Sequence, residues 1–195
     1  MRIRTARADE EPGVAALLAL ALAEDPFIKW IAGDDPRRAT AWMLSGVRMA
    51  SRRGLVLVDD ALTAGAVLMA PGTMPLPLRE NLALLPGLTS SVGWRRVPGV
   101  IRALTRLERT QPAEPHWTGL ALGVHPGSRG SGTGRAVIEA ALDRIADERI
   151  GVYLEVCAGG PHALYRKFGF ERHGTVEPGF GAPVMETMWR GGSSG

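Results

Sequence analysis

The chain has 195 residues, 45% hydrophobic and 22% charged, a balance that excludes a disordered chain and suits one domain of ordinary size. Its 23 basic and 20 acidic side chains leave a net charge of +3, too small to indicate nucleic-acid binding on its own. One cysteine, Cys157, excludes an internal disulfide framework, and the longest apolar run, Val14 to Ala23, is about half the length of a bilayer span.

The polar start from Met1 to Glu10 is unlike a signal peptide, so a cytoplasmic location is expected. Arg2 to Arg7 reads as a first strand. Asp9 is placed to cap a helix running to about Ala23, with Pro12 in its first turn and Val14, Leu17, Leu18 and Leu22 at helical spacing. Asp25 to Asp35 carries an Asp-Pro pair at each end and reads as a loop or short helix. A helix follows from Pro36 to about Arg52, with Met43, Val47 and Ala50 inward. Gly54 to Val58 and Leu62 to Met69 read as strands joined by a turn at Asp59-Asp60. Pro71 to Pro77 is broken by prolines. Arg79 to Arg109 is helical in composition but interrupted at Pro86-Gly87 and Pro98-Gly99. Its arginines, Arg95, Arg96, Arg102, Arg106 and Arg109, make either a solvated helix face or a basic rim near an anionic cofactor.

The last third alternates strands and helices: a strand at His116 to Val124, a turn-rich loop at His125 to Ser131, and a helix from Gly132 to Asp147. That helix carries Val137, Ile138, Ala141, Leu142 and Ile145 on one face. Then come a strand at Val152 to Cys157, a short helix at Pro161 to Phe168, and closing strands at Phe170 to Val176 and Val184 to Trp189. Gly191 to Gly195 reads as a flexible tail.

The loop Arg129-Gly130-Ser131-Gly132-Thr133-Gly134 opens a helix after a strand. Alternate glycines let the backbone approach an anion closely. The unpaired amides and dipole of the helix start favour a phosphate, with Arg129 and Arg135 adding charge. A Walker A loop would need Gly-Lys-Ser/Thr where the chain has Gly134-Arg135-Ala136. A dinucleotide loop would find an acid in Glu155. However, its last glycine place is held by Arg135 or Val137, and the loop starts too far beyond the strand. Coenzyme A is the third reading.

Three motifs in order carry a resemblance: Leu122-Gly123-Val124 with Pro126, then Arg129-x-x-Gly132-x-Gly134, then Tyr165-x-x-x-Gly169-Phe170. With them the chain resembles the GNAT superfamily of N-acetyltransferases over about residues 114 to 175. Glu114-Pro115-x-Trp117, Tyr153-Leu154-Glu155 and the Asp25-Pro26 segment further resemble the puromycin N-acetyltransferase-like branch. That branch carries an asparagine ahead of the tyrosine helix, where this chain has Ala158-Gly159-Gly160-Pro161-His162-Ala163-Leu164.

The resemblance implies an α/β (α+β type) GNAT fold: a mixed sheet of about six to seven strands, a splayed parallel pair and helices on both faces. It implies one domain over 1–190 with a helical insertion at about 79–110. Acetyl-CoA would be the acyl donor. Its pyrophosphate would lie on Arg129, Gly130, Ser131, Gly132, Thr133, Gly134 and Arg135. Its pantetheine arm would run along Leu122, Gly123 and Val124, with an oxyanion donor near Leu122 or Gly123. Tyr165 is expected to protonate the departing thiolate; the amine proton goes either to Glu155, which would receive or relay it, or to a water chain without a dedicated base. The segment Asp25 to Trp30 and the strand start at His116 and Trp117 are expected to line one acceptor pocket. Cys157 is expected to be inert. His125, His162 and His173 lack metal-ligand spacing, so no metal is expected. The expected partner is a small-molecule amine, with no nucleic acid and no membrane, the protein being a monomer or homodimer. A non-catalytic acyl-CoA-binding module and a protein-amine acetyltransferase are the rival functions.

Overall fold

The computed structural model describes residues 1–73, 87–146 and 150–192. Its strands are β1 (Ile3–Thr5), β2 (Gly54–Asp59), β3 (Ala64–Met69), β4 (His116–Val124), β5 (Gly151–Cys157), β6 (Glu171–Val176) and β7 (Met185–Arg190). They form one sheet in the order β1-β2-β3-β4-β5-β7-β6. All neighbours are antiparallel except the pair β4–β5. The helices are α1 (Glu11–Ala21), α2 (Pro26–Ala32), α3 (Pro36–Arg53), α4 (Val97–Glu108), α5 (Thr133–Ile145) and α6 (His162–Arg166). Residues 87–92 are also helical. The expected breaks at 74–77, the start of the expected helical stretch (79–86), the end of the expected α5 helix at 147 and the tail at 193–195 lie outside the described residues.

Helix starts follow from short polar side chains. Asp25 Oδ1 accepts from the Phe27 and Ile28 amides at 2.9 and 3.2 Å. Asp35 Oδ1 accepts likewise from Arg37 and Arg38 at 2.9 and 3.4 Å. Each Asp-Pro pair is thus a cap followed by a proline at the first helical position, where no amide is needed. The first of them begins α2 within the stretch expected to be a loop or short helix. At the N-terminus Glu10, rather than Asp9, does the fastening. Its carboxylate pairs with Arg4 at 2.7 Å and accepts the Arg7 amide at 2.8 Å. The Arg4 hydrogen bond, with that amide, holds the Glu10 carboxyl down to about 2.

The sheet is covered on both faces. Val56, Val58, Val67 and Met69 pack with α1 and α3. Leu57, Ala64, Ala66 and Leu68 face the other way, with Val137 and Ala141 of α5. Strand alternation assigns these sets to opposite sides. β3 is buried along its whole length, as a central strand covered on both faces must be.

Two irregularities in β4 shape the site. β4 and β5 pair only from His116↔Gly151 to Gly119↔Leu154. Beyond that point they diverge, while β4 stays paired with β3 as far as Val124. On the β3 side, Val67 faces Ala121 while Leu68 faces Gly119, which leaves Leu120 as the extra residue of a bulge. Such a bulge bends the strand and increases its twist. Gly123 lies under α1: a Cβ there would stand 2.8 Å from Ala21 Cβ and 2.9 Å from Leu18 Cδ2.

No described helix is long and apolar enough to cross a membrane. Among the described residues no group of three or more His, Cys, Asp or Glu could hold a metal ion.

Candidate active site

The loop into α5 has the form of an anion cradle. Gly130 and Gly132 have φ of 79° and 85°, a region that side-chain-bearing residues rarely adopt. Neither has any atom within 4 Å of where a Cβ would sit. Among the described residues the amides of Gly130 to Arg135 donate no hydrogen bond. The first is Ala136 N–H to Gly132 O at 3.1 Å. The donors of this helix start therefore remain available to an anion. Ser131 Oγ joins the loop to itself through Ser128 O and Thr133 Oγ1, both at 2.6 Å, and Thr133 is buried. Arg129 is fixed by a 2.8 Å bond to Ala21 O at the end of α1. Arg135 is paired with Glu139 at 2.8 Å. Gly134 sits 3.1 Å, at its would-be Cβ, from Val124 Cγ2, which ties the cradle to the open end of β4. Leu122 and Val124 pack partly buried against the α5-side core. Gly123 is accounted for by the close approach of α1.

Glu155 is the first residue of β5 past the divergence. Its Oε1 accepts from the Tyr153 hydroxyl at 3.1 Å, which lies 3.4 Å from Thr110 Oγ1. Burial pushes the Glu155 carboxyl up to about 7; the Tyr153 hydrogen bond opposes this and the Glu108 carboxylate adds to it. Burial first, then the Glu155 charge, holds Tyr153 neutral. Tyr153 is fully buried. His116 belongs to the same face, its ring 5.6 Å from that of Tyr153 and 6.0 Å from that of Trp189.

Tyr165 lies on α6, on the opposite side of the sheet. Its ring packs edge-on to Phe170 at 5.8 Å, within the α5-side core. Among the described residues its hydroxyl forms no hydrogen bond. Burial, with a contribution from the Asp25 charge, pushes it up to about 12, so it is a neutral phenol throughout the working range. Asp25 also meets the Cys157 thiol, Sγ to Oδ1 being 3.6 Å. Burial and then that carboxylate push Cys157 up to about 12, so that at neutral pH it is a thiol rather than a thiolate. A cleft of about 550 Å3 opens here, lined by Glu24, Asp25, Arg129, Cys157 and the turn to Pro161. In that turn Gly159 has φ 85°, and a Cβ on Gly160 would strike Val156 Cγ1.

Glu155 and Tyr165 lie on opposite faces of the sheet, and of the cradle residues Arg129 lines the cleft. His116 lies on the Glu155 face, against Tyr153. Trp117 does not: it is 7% exposed and packs among Val137, Ala141 and Ile145. Neighbouring strand residues point to opposite faces, so His116 and Trp117 cannot line one pocket from the same side. The sequence reading missed Asp25 as the carboxylate beside Cys157 and Tyr165, Tyr153 as the donor to Glu155, and Glu108. The spacing of Tyr153 and Glu155, two apart on a strand, was a usable signal for that pair.

A model of the acetyltransferase (GNAT) domain family matches residues 93–172. No curated protein matches the chain by sequence. The fold is shared with solved structures of low identity. One, from Corynebacterium glutamicum, is described as histone acetyltransferase HPA2 and related acetyltransferase. It aligns with a TM-score of 0.74 and 22% identity over 99% of this chain and 97% of that one. A Drosophila melanogaster polyamine N-acetyltransferase aligns at 0.64 and 18% identity over 97% and 99%. A chain of the NatC complex bound to Gag peptide and CoA aligns at 0.54 and 13% identity over 98% and 98%. The chain has the GNAT fold, and its residues 93–172 are a match to the acetyltransferase (GNAT) domain family.

Proposed function

We propose that the protein is an acetyl-CoA-dependent N-acetyltransferase that acts on a primary amine of a small molecule, such as an amino nucleoside or an antibiotic-like compound. One observation carries this reading. The parallel pair opens past Gly119 and Leu154, with Glu155 on one face, Tyr165 on the other, and the unpaired amides of Gly130 to Arg135 at the far end. The cradle fits a pyrophosphate, since its glycines leave space where a Cβ would intrude.

Acetyl-CoA, when bound, supplies the acetyl group and a thiol leaving group. The amides of Gly130 to Arg135 and the Arg129 guanidinium hold its phosphates. The strand edges past the divergence offer backbone groups to the pantetheine amides. Glu155, ionised above about pH 7, takes the proton from the amine, directly or through water. Tyr153 keeps the carboxylate oriented through its 3.1 Å hydrogen bond. The neutral Tyr165 hydroxyl delivers a proton to the departing sulfur. A second reading, a non-catalytic acyl-CoA-binding module, draws on the tight Gly159-Gly160 turn that replaces the asparagine of the resembling branch.

An amine panel read out by release of free thiol tests the proposal. Turnover with small amines and none with protein amines is the expected result. The reverse preference would move the assignment to a protein acetyltransferase.

A further inference from the structure

A second cleft, of about 220 Å3, lies at the other end of α2, between Trp30, Arg95, Arg96, Gly99, Val100 and Phe180. Phe180 holds φ 56° between Gly179 and Gly181, both at 77°. A bulky side chain in the left-handed region is strained, and strain of this kind collects at functional sites. Burial does not account for it, because Phe180 is 48% exposed. The loop is held in this form by Trp30 Nε1–H donating to Phe180 O at 3.2 Å and by Arg106 Nη1 donating to Pro178 O at 3.1 Å.

Arginines surround the exposed ring. Arg102 and Arg106 lie 5.9 and 5.3 Å from its centre, and Arg95 lies 5.1 Å from the Trp94 ring. Arg96 is engaged, donating to the Trp30 and Ile31 carbonyls at the end of α2. Among the described residues none of these four, nor Arg109, pairs with a carboxylate. Glu108, the one acid of α4, lies within electrostatic reach of Glu155, whose carboxyl its charge pushes up. The opposite end of α2 is acidic: Glu24 and Asp25 line the first cleft, beside Cys157.

We infer that the cleft at Trp30, Arg95 and Phe180 is a subsite for an anionic group of the acceptor, a carboxylate or phosphate. The inference rests on the acetyltransferase reading and adds the charge of the substrate to it. The volume is smaller than a whole ligand site, as suits a pocket for one end of a molecule. Arg95 lines the cleft and supplies charge-assisted donors, Arg102 adds charge beside the Phe180 ring, and that half-exposed ring gives the ligand an apolar wall. A diamine would place its second ammonium against these arginines and bind poorly.

The test has two arms. Phenyl phosphate, which has no amine to acetylate, is titrated into the protein while the indole N–H signals of Trp30 and Trp94 are followed by NMR. Saturable shifts are expected, lost in Arg95→Glu and Arg102→Glu. Absent shifts, or shifts that survive both substitutions, would overturn the site. Displacement of phenyl phosphate by saturating CoA would overturn it also, by placing the cleft in the donor site. The second arm compares kcat/KM for aminoalkyl phosphates and amino acids against diamines of equal length. At least a tenfold preference for the anionic amines is expected, abolished in both variants. Equal rates in the native protein would overturn the acceptor role. Phenyl phosphate binding without acetylation of any amine would keep the anion site and remove that role, because it is the acetyltransferase reading that would then have failed.

Discussion

Replacing Glu155 with glutamine removes the carboxylate and keeps the shape and the capacity to accept from Tyr153. The structure sets the magnitude. With the carboxyl at about 7, roughly 1% is ionised at pH 5 and about 90% at pH 8, so base activity should rise close to 100-fold across that interval. A carboxyl at its ordinary value would be about three-quarters ionised at pH 5 already, and the rise would be less than about 1.5-fold. The acceptor amine also titrates, so the quantity to plot is the ratio of native to Glu155→Gln kcat/KM, in which that contribution cancels. Thiol release at saturating acetyl-CoA, between pH 5 and 8, measures it. A flat ratio would refute the role of Glu155 as base. Stability carries an independent sign. The fold favours the neutral acid, so its stabilising contribution is complete below the unfolded value of about 4.5 and is lost as pH rises through about 7. Glu155→Gln should therefore gain stability over the native protein at pH 8, by at most about 3 kcal/mol, and gain little at pH 4.

Tyr165→Phe removes a hydroxyl that makes no hydrogen bond among the described residues, so the melting temperature should hold while kcat falls by about 10²–10⁴; a fall under about threefold would assign the proton to water. Gly132→Val puts a branched side chain at φ 85°. Calorimetry should show CoA affinity reduced by about tenfold or more, and unchanged affinity in the folded variant would remove the cradle from the donor site. Trp117→Ala empties a core position and should cost about 3–5 kcal/mol in denaturant unfolding. A loss confined to the acceptor KM would restore Trp117 to the pocket.

What could be read in the sequence was whatever local chemistry dictates. The glycines at 130, 132 and 134 marked the irregular loop before α5, the first two taking left-handed backbone and the third lying close to Val124. The strands of the last third were legible as short apolar runs between turns, and α5 by its apolar face. The bulge was not legible. Strict alternation from Trp117 would set it on the same side as Ala121 and Gly123, toward α1. The extra residue Leu120 reverses that parity, so Trp117 shares a face with Leu122 and Val124. Long-range meetings were also beyond reach. Asp25 is visible locally as a helix cap, but its contact with Cys157, 132 positions away, exists only once α2 lies across the end of β5. Glu108 was hidden likewise, inside a stretch whose arginines dominated the reading.

The most direct test is transfer of isotope-labelled acetyl from acetyl-CoA to a small amine, followed by mass spectrometry of the amine, with CoA binding measured on the same preparation. The account predicts labelled N-acetyl product and stoichiometric free thiol, both reduced by Tyr165→Phe and by Glu155→Gln. Tight CoA binding with no labelled product from any amine would contradict it and favour a binding module on the same fold.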